Sequence, residues 1–403
     1  MASEVKVNKI SPSSGTAFQI GDSGDTITVP SGATITNSGT ANNFTSYRPN
    51  AQPLIINGDM AVAQRSTSET GVTTEGYKTC DRFKLNGTVS GAQLTIIQEA
   101  LTSGEAFNNG FKTAWRADCT TATAPAAGER LELQYKMEAQ DCSLFKSGTS
   151  NAQKFTLAFW VKSSYTGAAQ VNLYNADSSP NRVCGATYTI SSADTWEYKV
   201  LNFAADTSNG FNNDTGWGLG IYFMLAAGSN YTSGSVPTAW ESYSNADFAA
   251  GGTPALSSNT ANDWAITGVQ LEVGEYTSST LPPFQHESYG DNLQRCQRYF
   301  QEVMSGESQN ALCNLVSYTS GTLRGTYILP TQMRATPTQT DGAALADFLI
   351  LGENTSFAPT ALAAESLTKK SFVVTASSSS STQGSVYWIR GDAEATYTLD
   401  AEL

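Results

Sequence analysis

The chain holds a single histidine, His286, and no serine stands in a G-x-S-x-G turn, so the parts of a Ser-His-Asp hydrolase are not supplied. No H-E-x-x-H, phosphate-binding loop or dinucleotide fingerprint occurs. The run GWGLG at Gly216 to Gly220 has the wrong spacing and falls within a strand pattern. His286, beside Leu281-Pro282-Pro283, reads as a surface or packing residue. The 36 acidic residues leave one catalytic route open, because the carboxylate pair of a glycoside hydrolase is set in space rather than in sequence. Sugar binding asks for less: exposed aromatic faces to stack on pyranose rings, with amides or carboxylates beside them for the hydroxyls. The polar stretch Asn230 to Phe248 carries such a set in Tyr231, Trp240, Tyr243, Asn245 and Asp247. Trp160, Trp196 and Trp264 sit in strong strand patterns and are expected in the core.

These residues need strands to position them. Runs such as GAQLTIIQEA and FKTAWRADC, each about seven to ten residues long, and then ERLELQYKMEA, KFTLAFWVKSS, AAQVNLYNAD and GWGLGIYFMLAAG, recur with Gly, Ser, Thr or Asn between them. That rhythm predicts an all-β sandwich or jelly roll over residues 51–285. The segment PLIINGDMAVAQRS is expected as two strands around an Asn57-Gly58 turn. Trp264 to Val273 predicts a closing strand, with Gly268 marking a bulge and Gly274 a turn. Two prolines then force an extended exit. Leu293, Cys296, Gln297 and Phe300 follow at helical spacing, which predicts a short connecting helix within 286–300, from about Asp291. Residues 301–403 are expected to form a smaller β-sandwich with strands at CNLVSYTS, LRGTYILP, SFVVTASS, GSVYWIRGD and ATYTLDAEL. A polar, Ala-rich excursion from Gly342 to Thr368 interrupts them.

The first fifty residues differ in texture. GDTITVPS followed by GATITNSG is an approximate repeat whose strands are too short to bury their faces alone. Packing the same segment from several chains around an axis would bring Ile20, Ile27, Val29 and Ile35 together, which predicts an oligomeric β-stem over 1–50.

Charged residues make up only 15% of the chain and aromatics reach 10%, as suits many strands and turns. A net charge of -13 excludes the basic face that nucleic-acid binding requires. The six cysteines are widely spaced without metal-site pairs, and are expected as buried free thiols. MASEVKVNKI lacks the apolar core of a signal peptide, and no run is long enough to cross a membrane as a helix. The expectation is a protein made in a cytosol that does not insert into membranes.

Four blocks carry a family resemblance. GVQLEVG, a proline-bearing spacer, Tyr289-Gly290 and then L-x-x-C-Q-R-Y-F together resemble a segment of bacteriophage tail-fibre and related virion adhesin proteins, many from phages of marine bacteria. KVNKISPSSGTAFQIGDSGDTITVPSGATI resembles the opening of phage fibre proteins, where it attaches the fibre. NGDMAVAQR resembles a fibre pattern N-G-D/N-x-x-V-x-Q-R, with Ala63 where an aromatic is usual. PTQMRATPT and the closing DAEL resemble fibre ends. The strand order over about 54–280 is similar to jelly rolls of the carbohydrate-binding-module type. Jelly rolls of this type often hold a structural Ca²⁺, to which Asp59 or Asp263 could contribute oxygen ligands, although no spacing in this sequence demands one.

The resemblance implies a non-enzymatic fibre in the virion, assembled in the host cytoplasm as a homotrimer. Residues 1–50 would join other virion proteins, and 301–403 would form the distal tip. Its partner would be a bacterial-surface glycan. A capsid-surface decoration fibre would share these features. A glycan depolymerase is the enzymatic alternative, although phage depolymerases usually rest on a long β-helix or an inserted enzyme domain, for which this chain has no evident place.

Overall fold

A computed structural model describes residues 52–305, 310–341, 345–391 and 395–403. The stem residues Ile20, Ile27, Val29 and Ile35 lie outside them. The described residues all belong to one compact unit, Ser46–Leu403.

Two sandwiches follow one another along the chain, and both are antiparallel throughout. The first sheet takes β1 (Ser68–Val72), β4 (Gln93–Ala100), β5 (Thr113–Thr121), β13 (Asp263–Val273), β7 (Phe155–Ser163) and β10 (Glu197–Phe203), side by side in that order. The second runs β12 (Glu241–Ser242), β9 (Arg182–Ile190), β8 (Gly167–Asn175), β11 (Trp217–Ala227), β6 (Arg130–Glu138), β3 (Phe83–Thr88), β2 (Gly76–Tyr77). Neighbours in space are far apart in sequence, as in a jelly roll. Alternate residues of both sheets meet in one core, including Trp115, Phe159, Trp264, Phe83, Leu133 and Phe223. A single helical turn, α1 (Glu105–Asn108), lies between β4 and β5.

After the first sandwich, α2 (Tyr289–Gln297) begins where the Ser288 hydroxyl accepts the Asp291 amide at 3.2 Å, with Asp291 favourably placed in the first turn. Phe300, expected on the helix, instead opens β14 (Phe300–Ser305), since the helix ends at Gln297. β14 joins β23 (Thr396–Asp400) and β17 (Thr338–Asp341) in a three-stranded sheet. This packs on one face of a seven-stranded sheet, ordered β19 (Thr355–Phe357), β18 (Phe348–Gly352), β22 (Val386–Gly391), β15 (Asn310–Thr319), β16 (Thr322–Ile328), β21 (Ser371–Ser377), β20 (Ala361–Glu365). Met304, Leu315, Phe372, Ile389 and Leu399 lie in the core between them. The excursion expected from Gly342 to Thr368 therefore contains three strands, because FLILG supplies a buried run and ALAAE completes the sheet edge.

The segment 54–66, expected as a hairpin, forms no strand. Asn57 adopts φ 61° and its amide donates to the carbonyls of Val62 and Asp81, both at 2.9 Å, so side-chain bonds replace a ladder. This segment is part of a buried joint between the sandwiches. Gln64 donates to the Phe300 carbonyl at 2.9 Å, and the Arg65 guanidinium lies 3.7 Å from the Phe300 ring centroid and 3.0 Å from Asp400. Arg82, fully buried, pairs with Glu402 and stacks 3.3 Å over Tyr299. Arg298 meets Glu138 with two bonds, at 2.6 and 2.7 Å. The blocks that carry the family resemblance, NGDMAVAQR, CQRYF and the closing DAEL, thus meet one another, and they do so as structural cement.

Of the six cysteines all are free; five are buried and Cys313 half-buried. Among the described residues no helix is long and apolar enough to cross a membrane.

Candidate functional site

The aromatic set from the 230–248 stretch divides in the fold. Trp240 is only 8% exposed: its ring packs near Phe155 in the core and its Nε1 donates to the Ala204 carbonyl at 2.8 Å. It is not a stacking platform. The next residues pair with β9, Glu241 opposite Val183, and Arg182 bonds the Trp240 carbonyl at 2.6 Å, which holds the indole inward. Tyr231, Tyr243, Asn245 and Asp247 gather on the outer face of the second sheet. Arg130 donates to the Tyr243 hydroxyl at 3.0 Å and lies 4.8 Å from the Tyr231 ring, while Tyr243 donates to Asn245 at 2.6 Å. Asp247 accepts the Ser235 amide at 2.8 Å. With Tyr174, Tyr222 and Phe248 they make a closed second layer whose polar atoms are largely spent on one another.

A better placed site lies at the other edge of the sandwich. β10 is the last strand of its sheet, and a groove of about 460 Å³ runs beside it, lined by Tyr198, Lys199, Asn202, Tyr276, Thr277 and Ser278 among others. Tyr198 is 36% exposed and lies against Trp160, with ring centroids 5.1 Å apart. Trp160 had been expected in the core. It faces outward because the core side of β7 is taken by Phe155, Leu157, Phe159 and Val161, and alternation places Trp160 on the opposite face. Trp196 is buried in a separate cluster with Leu101 and Phe111, whereas Trp264 is in the main core.

The opposite wall is the turn after β13, where Gly274 at φ 117° redirects the chain. Tyr276 is held there by its backbone. Its amide donates to Thr156 Oγ1 at 3.0 Å, and its carbonyl accepts from Asn202 Nδ2 at 2.9 Å. The Tyr198 ring is therefore backed by Trp160, and the Tyr276 backbone is fixed at the groove's other wall. Burial, with Glu272 adding to it, pushes the Tyr198 hydroxyl up to about 12, so it stays a neutral donor and acceptor. Neither tyrosine was singled out by the sequence. Tyr198 and Tyr276 are 78 positions apart and come together only through the pairing of β10 and β13 with β7.

Three carboxylates share the outer face of the first sheet, but around cations. Arg116 reaches Glu99 at 3.1 Å, Asp118 at 2.7 Å and Asp263 at 3.1 Å, and Lys162 adds a contact to Glu99 at 3.3 Å. Burial raises the Asp118 carboxyl while Arg116 opposes it. Such a network neutralises acids rather than setting one protonated group across from one charged group. Asp263 is thus committed to Arg116, and Asp59 accepts from Asn292 Nδ2 at 3.2 Å. Among the described residues no group of three or more His, Cys, Asp or Glu side chains is arranged to hold a metal. His286 is exposed and packs beside Phe111 and Phe284.

No protein-family model matches the chain, and no curated protein matches it. Solved structures similar to part of it include the enzymatically active domain of tailspike protein 4 of bacteriophage CBA120, at 12% identity and TM-score 0.28 over 55% of this chain and 21% of that one. The chain thus spans about a fifth of the tailspike structure. A family 11 carbohydrate-binding module of a cellulosomal cellulase from Clostridium thermocellum matches at 8% identity and TM-score 0.26, over 51% of this chain and 99% of the module. TmCBM61, solved with β-1,4-galactotriose, matches at 9% and 0.24, over 55% and 99%. Likeness at this level does not indicate what this chain binds.

Proposed function

We propose that this chain is a non-catalytic glycan-binding protein that serves as a virion fibre, attaching a phage to sugar on a bacterial surface. The observation that carries the glycan reading is the β10 groove. It sets Tyr198, backed by Trp160, and Tyr276 beside amide, hydroxyl and ammonium groups, the combination a pyranose chain needs for stacking and hydrogen bonding. The fibre reading draws on the resemblance of the terminal and joint blocks to phage fibre proteins. In that reading the chain assembles as a homotrimer, with residues 1–50 joining other virion proteins, so that weak single-site contacts are multiplied by repetition.

A glycan array with the purified full chain, followed by titration of the best hit, tests the site. Tyr198→Ala is expected to weaken binding roughly tenfold, the loss of one stacked aromatic face. Tyr243→Ala, in the closed cluster, leaves it unchanged. Equal affinity of Tyr198→Ala and wild type would remove the groove from consideration. Release of reducing sugar from host polysaccharide, abolished by Asp118→Asn or Asp263→Asn, would instead establish the enzymatic alternative.

A further inference from the structure

The seven-stranded sheet of the second sandwich has one covered face and one bare face. Its inner residues meet the three-stranded sheet, whereas β22, β15 and β16 turn Trp388, Val386, Val316, Tyr318 and Ile328 outward. These five are from 49% (Val316) to 76% (Ile328) exposed. Register brings four of them together, since Val316 lies opposite Val386 and Trp388 and Tyr318 are the next outward residues of those two strands, while Ile328 stands on the same sheet face farther along β16, beyond Arg324 and Thr326. The four adjoining residues expose on the order of 450 Å², within the range of the largest patch on a typical monomer and about half of the ~800 Å² per partner of a stable interface.

Charge points to the occupant. The seven strands of this sheet carry only Arg324, Arg390 and Glu365, a sum of +1 (two arginines less one glutamate), on a chain of net charge -13. Arg324 lies 3.5 Å from Glu365, which leaves little to repel an identical face. On a strongly acidic chain, a sheet face whose one carboxylate already faces an arginine is a surface that two copies can bring together without strong repulsion. The surface is also a sheet face rather than a cleft, which suits a protein more than a small ligand.

We propose that the outer face of this sheet is where copies of the chain pack against one another, a contact that rests on the oligomeric reading above and assigns it a surface. The test uses the full chain at micromolar concentration. Ile328→Cys and Val316→Cys variants are treated with a short bis-maleimide, with the parent chain as background and Tyr289→Cys, on an exposed helix position, as control. The face thiols are expected to give roughly tenfold more inter-chain product on a denaturing gel than the control, as repeated proximity in a fixed assembly dictates. Sedimentation separates the two claims. A mass that is a multiple of 42.8 kDa without face-specific cross-linking keeps the assembly and overturns the proposed surface, whereas a mass of one chain overturns both. A monomer in which Trp388→Asp abolishes glycan binding would give the face to a glycan, and the proposal would fail.

Discussion

β11 and β22 are both central strands of seven-stranded antiparallel sheets, yet they live in different surroundings. β11 is buried at nine of its eleven positions, because Phe223 and Leu225 face the main core while Tyr222 and Met224 lie beneath the layer of Phe248 and Tyr243. β22 alternates, with Tyr387 and Ile389 inside and Val386 and Trp388 in the open. In the first sandwich the chain spends its own loop, residues 229–252, on covering a second face. Among the described residues the second has no comparable cover. An apolar outer face without a cover costs solubility unless something else covers it, which is why the same alternation reads as finished structure in one place and as an interface in the other.

Mutating both faces of the two seven-stranded sheets should show this asymmetry directly. Phe223→Ala and Phe372→Ala, each facing its core, are expected to destabilise by about 3–5 kcal/mol in denaturant unfolding, and Tyr222→Ala on the outer face of β11 by a similar amount. Thr326→Ala, on the outer face of the second sandwich, should stay within about 0.5 kcal/mol. A neutral Tyr222→Ala would mean that the 229–252 layer is not a true second core. Next in size is the joint. Glu402→Ala leaves Arg82 buried without its partner and should cost about 3–5 kcal/mol, and because the pair spans the two sandwiches, the single unfolding transition should split in two. A single transition at an unchanged midpoint would show that the joint does not couple them.

The smallest effect is one of pH. Burial raises Asp81 to about 7 in the folded chain, with Arg65 opposing and Glu402 adding, while its unfolded value is near ~4. The folded state therefore holds a proton that the unfolded state has released. The stability this contributes is full below about pH 4 and is lost as pH rises through about 7. Against Asp81→Asn, wild type should become relatively less stable between about pH 5 and 8, measured as thermal midpoints across that window. A wild type that gains stability relative to Asp81→Asn as pH rises would show that Arg65 wins over burial.

Particular residues show how far the sequence could be read. The strands from Gln93 to Val273 were legible because alternation of apolar and polar residues leaves little choice of face, and the bulge expected at Gly268 appears between Thr267 and Gln270. The helix was legible through Leu293, Cys296 and Gln297, although it begins at Tyr289 rather than about Asp291, because the Ser288 cap lets it start earlier. Residues 54–66 were not, because Asn57, Gln64 and Arg65 are fastened by side chains to Asp81, Phe300 and Asp400, partners up to 335 positions away. Trp240 was misplaced for a related reason. A tryptophan in a polar stretch looks exposed until a short edge strand turns it inward. FLILG was overlooked as a strand because its surroundings are rich in alanine and polar residues.

What the amino-acid order decided by itself was the class of protein: all-β, acidic, poor in charge, with a single histidine, and with helical spacing in only one place of note. These follow from local periodicity and from supply, and neither needs a partner. Which rings stand open was decided by tertiary structure alone. Tyr198 and Tyr276 flank a groove, Trp240 closes a core and Trp388 faces outward because exposure depends on what the rest of the chain brings to the other side of each strand. Pairing across dozens of residues is what brings it.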